Sequence, residues 1–100
     1  MRPKIPRPTS GQAEQAEIIA LQVLAFLAAD TERLQRFLDL TGLDDGALRR
    51  GASNPELLAA ILDHLLSDES LLLIFAEEQA LSPDAVARVR RHLPGANLDF

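Results

Sequence analysis

The 100-residue chain contains no cysteine, no tryptophan and no tyrosine, and its aromatic content is four phenylalanines. Without cysteine there can be no disulfide, no thiolate zinc site and no cysteine nucleophile. A cysteine-free chain fits a reducing compartment, so a cytoplasmic protein is expected. The scarcity of aromatics, with no sustained alternation of apolar and polar residues, leaves no strand candidate. A long apolar run is also missing. The longest, Ile18 to Ala29, is interrupted by Gln22 and is shorter than the roughly 20 residues that span a bilayer. Three basic residues stand near the N-terminus, but Pro3, Pro6 and Pro8 exclude the apolar stretch that a signal peptide places after them. A soluble protein is the expectation. No glycine-rich phosphate loop or dinucleotide fingerprint is present, which excludes the common nucleotide-binding folds.

Positive charge is sparse in the middle of the chain. Residues 1–9 carry +3 from Arg2, Lys4 and Arg7, residues 10–83 carry −9, and residues 84–100 carry +1, for a net charge of −5. An acidic body repels nucleic acid and anionic lipid, so neither is expected as a partner.

What the sequence does have is helix punctuation. Thr9 and Gln12 have capping-box spacing, which predicts a first helix from there to about Ala29. Asp30 caps a second across Thr31 to Thr41, closed by Gly42 in the left-handed conformation. Asp44 or Asp45 opens a short third helix to Arg50, with Gly51 expected to stop it in the same way. Asn54-Pro55 pairs a good N-cap with proline at the first helical position and starts a fourth helix to about Leu66. Ser67 or Asp68 recaps the chain for a fifth, Glu69 to Ala80. Ser82-Pro83 repeats the cap-and-proline device for a sixth, ending near Leu93 before Pro94-Gly95. The expected architecture is all-α: an irregular bundle of five or six short helices. Residues 1–8 form a mobile proline-rich basic tail, 9–95 a single domain and 96–100 a C-terminal tail.

The first helix is apolar almost all round: Ile19, Val23, Phe26 and Leu27 fill one side, while Ile18, Leu21, Leu24 and Ala25 reach the other. Such a helix must be covered on several sides. It therefore either forms the centre of the bundle or leaves a face free for association. Leu71 to Phe75 is likewise apolar over more than one turn. Val23, Phe26, Phe37, Ile61, Leu65 and Phe75 are expected in the core.

No catalytic, cofactor-binding or metal-binding residue can be assigned. His64 has Asp63, Ser67, Asp68 and Glu69 nearby in sequence, but helical geometry puts it at the edge of an apolar stripe, with Asp63 and Ser67 towards solvent. His64 and Asp68 have i, i+4 spacing, too few ligands for a structural metal, and His92 falls in another helix. Ser67 and Asp68 are sufficiently explained as caps. Arg88, Arg90, Arg91 and His92 read as a solvated helix end whose cations complement the macrodipole. A helix-turn-helix built on the third and fourth helices would have a recognition helix carrying Glu56 and Asp63 and no arginine or lysine.

Two resemblances remain. Glu69-Ser70-Leu71 is loosely similar to the Asp-Ser-Leu attachment turn of acyl carrier proteins, but Glu69 replaces the aspartate and the serine comes after about four helices, so Ser70 reads as an ordinary first-turn residue. More extensively, ALQVLAFLAADTERLQRFLDLTGL from Ala20 and NPELLAAILDHLLSDESLLLIFAEEQALSPDAV from Asn54 resemble a family of short alphaproteobacterial proteins over residues 13–95. That family, a domain of unknown function, implies a small helical protein and transfers no site. The resulting expectation is a non-catalytic helical module that binds a protein, a second copy of itself included. The alternative is a DNA-associated regulator using the basic C-terminal helix and tail.

Overall fold

The computed structural model describes residues 8–94, which form six helices and, among the described residues, no strand. They are α1 (Pro8–Ala28), α2 (Thr31–Thr41), α3 (Asp45–Arg50), α4 (Pro55–Leu66), α5 (Glu69–Gln79) and α6 (Pro83–Arg90). Five of the helix starts are held by a side-chain oxygen that accepts from an otherwise orphaned backbone N–H. Asp30 accepts from Glu32 and Arg33, Asp44 from Ala47 at 2.7 Å, and Asn54 from Glu56 at 2.8 Å. Asp68 accepts from Leu71, and Ser82 from Ala85. Of the pairs left open by the sequence, Asp44 and Asp68 are the caps; Ser67 instead closes α4 and donates its hydroxyl to the His64 carbonyl at 2.8 Å.

Four boundaries differ from expectation. Pro8 is already the first residue of α1, so Thr9 lies within the helix and is not its cap; proline is well placed there because it lacks only an N–H that would go unpaired. The rest of the expected N-terminal tail, and the tail at 96–100, lie outside the described residues. Gly42 has the left-handed φ of 76°, but Gly51 does not, with φ −97°. Glycine at position 51 answers to space. A Cβ there would come within 2.7 Å of Leu57 Cδ2 and 3.2 Å of the Ala47 carbonyl oxygen. Left-handed backbone appears instead at Ala80 (φ 57°), where the Leu81 N–H returns to the Ala76 carbonyl and ends α5. Finally, α6 stops at Arg90, and residues 91–93 continue as single turns.

The core is organised around α1, which packs against α2, α4 and α6, while α5 packs against α4 and α6. Its inner face, Ala16, Ile19, Ala20, Val23, Phe26 and Leu27, is buried. The small Ala16 and Ala20 permit close approach of a neighbour. Leu58, Ala59, Ile61, Leu62 and Leu65 of α4 supply the largest contribution from another helix, with Phe37, Leu48, Phe75, Val86 and Leu93 closing the cluster. All six residues expected in the core are there. Phe26 and Phe75 meet edge to face at 5.4 Å between ring centroids, and the Arg33 guanidinium covers the Phe26 ring at 4.6 Å. Among the described residues no polar or charged side chain is buried.

Phe26→Ala removes an enclosed ring and one half of an aromatic pair. It is expected to cost roughly 3–5 kcal/mol, a large share of the roughly 5–15 kcal/mol available to a domain of this kind. Urea denaturation followed by far-ultraviolet circular dichroism measures the loss; a change below about 1 kcal/mol would mean that the ring is not enclosed.

Candidate interaction surface

Four of the polar residues singled out in the sequence, Asp63, Ser67, Asp68 and Arg90, are drawn into structural roles. Asp63 and Ser67 do not converge on the His64 imidazole. Asp63 is engaged by Arg90, with Nε 2.6 Å from one carboxylate oxygen and Nη2 3.0 Å from the other. The same guanidinium donates through Nη1 to the carbonyls of Leu93 and Pro94 at 3.2 and 3.0 Å. One side chain thus fastens the end of α6 to α4 and closes the turn after it. This pairing corrects the solvated reading of Arg90, whose side chain is only 13% exposed. It spans 27 positions, so no local spacing signals it. Arg88, Arg91 and His92 stay exposed, as does Ser70 in the first turn of α5.

His64 is half-buried, with its ring edge-on to the buried Phe37 at 5.0 Å. Burial lowers its pKa below the usual 6.5; Asp68 opposes that shift and Arg36 adds to it. Glu32, Arg33 and Arg36 of α2, with His64, Asp68 and Leu71, line a recess of about 230 Å³. Two arginines face two carboxylates there, the formal charges cancel, and no nucleophile is aimed at the imidazole. Among the described residues no group of three or more histidines, aspartates or glutamates is placed to hold a metal.

The apolar surface offers more. Ile18 and Leu21 on the outer side of α1 are 52% and 43% exposed, and Leu73 and Ile74 of α5 are 49% and 39% exposed. Leu40 stands alone on α2. In α5 the apolar run divides, because Phe75 turns inward while Leu73 and Ile74 do not. A groove of about 420 Å³, lined by Leu24, Ala28, Leu34, Leu48 and Ala52 with Asp45 and Arg49, runs between the end of α1 and α3. Among the described residues no helix is long and apolar enough to cross a membrane. The sequence indicated that α1 is apolar on both sides, but periodicity does not say which side the bundle covers.

The family model described as "Protein of unknown function (DUF3572)" matches residues 13–96 of the chain. Comparison with curated proteins and with solved structures found no match.

Two measurements follow from the polar contacts. Arg90→Ala is expected to destabilise the fold by about 1–2 kcal/mol, since it leaves two carbonyls without their donor as well as breaking the ion pair. Asp63→Ala removes only the partly exposed acid and should cost about half as much; equal costs would mean that the carbonyl contacts contribute nothing. For His64, the folded state favours the neutral ring, so the unfolded chain binds the proton more readily. The contribution of this group to stability is therefore flat above pH 6.5, falls as the pH drops below 6.5, and levels off beneath the folded-state pKa. Thermal unfolding of wild type and His64→Gln across that window should show the decline in the wild type only.

Proposed function

Because the chain belongs to the DUF3572 family, whose description carries no activity, we propose on physical grounds that the protein is a small non-catalytic helical module that binds another protein. Its workplace in this reading is the cytoplasm, in keeping with a cysteine-free chain. The observation that carries the proposal is the set of large apolar side chains left in solvent on α1 and α5, led by Ile18 at 52% and Leu73 at 49% exposure. Single exposed apolar residues are ordinary on a protein surface. Two large apolar side chains exposed together on each of α1 and α5, Ile18 with Leu21 and Leu73 with Ile74, suit a binding face.

Site-specific photocrosslinking in the source cells tests it. A photoreactive residue in place of Leu21 or Leu73 is expected to give discrete protein adducts, while the same group at the exposed Ser53 gives none. Absence of adducts at both apolar positions would overturn the proposal. Adducts to DNA from position 91 instead would favour the regulator that works through its basic C-terminal end.

A further inference from the structure

The outer face of α5 carries one sign of charge around its apolar side chains. Glu69, Ser70, Leu73, Ile74, Glu77 and Glu78 are exposed, and at about 100° per residue they share an arc of about 180°. Glu69 precedes Leu73 by one turn, and Glu77 and Glu78 follow Leu73 and Ile74 by one turn each, so the two apolar side chains lie between carboxylates. The helix contains no arginine, lysine or histidine. The two ion pairs found among the described residues, Arg33 with Asp30 and Arg90 with Asp63, use none of these glutamates. Arginines approach another edge of α5, in the recess beside Leu71, but there Arg33 and Arg36 stand with Glu32 and Asp68. The neighbouring α6 and the turn after it expose Asp84, Arg88 and Arg91, none of them paired with α5.

We propose, resting on the reading of the protein as an interaction module, that the outer face of α5 receives a helix of another protein whose apolar side chains are edged by lysine or arginine. Leu73 and Ile74, 49% and 39% exposed, supply the apolar contact. The three glutamates supply the selection: they steer a cationic partner in and repel an acidic one. A second copy is a poor occupant, because its own α5 would set three glutamates against three on chains that each carry −5. Charge therefore names the partner, while the apolar pair holds it.

The probe is a synthetic helical peptide with leucine along one face and lysine at both edges of it, labelled for fluorescence anisotropy and titrated with the full chain. Binding is expected, and it should weaken as salt rises. Leu73→Ser with Ile74→Ser should weaken it about tenfold or more. Glu77→Gln with Glu78→Gln should weaken it and flatten its salt dependence, with the helical signal unchanged in both variants. The control pair Glu14→Gln with Glu56→Gln removes the same charge elsewhere on the surface and should bind as the wild type does. Equal loss in that control would mean attraction to the acidic body at large and would overturn the proposal. No binding, or equal binding of a peptide with glutamate in place of lysine, would overturn it too. Sedimentation of the wild type decides the other occupant: self-association abolished by the two serines would give the face to a second copy. The wider reading fails separately. Discrete adducts from position 73 whose cross-linked segments are not basic leave the protein an interaction module and overturn only this choice of partner.

Discussion

Burial of the inner face of α1 is the constraint on which the rest of the bundle depends. Val23 and Leu27 are wholly enclosed, Phe26 nearly so, and Ala16 and Ala20 leave no gap to solvent. No single helix can cover such a face, and α1 accordingly packs against α2, α4 and α6. The packing of α4 beside it supplies five buried residues, and α5 enters through Phe75, whose ring meets Phe26. Among the described residues the buried side chains form one cluster, and α1 lines it against three of the other helices.

The polar residues are largely occupied with making short helices stop, start and stay joined. Caps at Asp30, Asp44, Asn54, Asp68 and Ser82 take up much of the short polar inventory around the turns. Asp63 and Arg90 join α4 to the end of α6, and Arg33 shields the Phe26 ring. In the recess around His64, cations and carboxylates balance, and burial lowers the pKa of the imidazole, whose ring meets Phe37 edge-on. Apolar side chains also stay exposed on α1 and α5, and they are the physical basis of the proposed association.

Most of the fold was legible because its signals are local. A cap followed by proline, as at Asn54-Pro55 and Ser82-Pro83, acts within one turn, and its meaning does not depend on what packs above it. Misreadings arose where a local sign had a non-local cause. Gly51 carries the residue type of a left-handed stop, yet its φ is not left-handed, and its lack of a side chain leaves room for Leu57 of the next helix. Ala80 does adopt the left-handed stop, although its side chain gives no hint of it. Arg90 looks like one of several exposed cations at a helix end, and only the docking of α6 on α4 brings Asp63 to it.

The sequence by itself determined the helical class, the caps at Asp30, Asn54 and Ser82, the absence of thiol chemistry and the apolar character of α1 on both sides. Those properties follow from backbone donors, residue conformational preferences and periodicity, which act over a few residues. Tertiary structure decided which side of α1 is core and which is surface. That choice depends on where α2, α4 and α6 come to rest, a matter of packing between residues far apart in the chain. It buries Ile19, Val23 and Leu27 and leaves Ile18 and Leu21 in water.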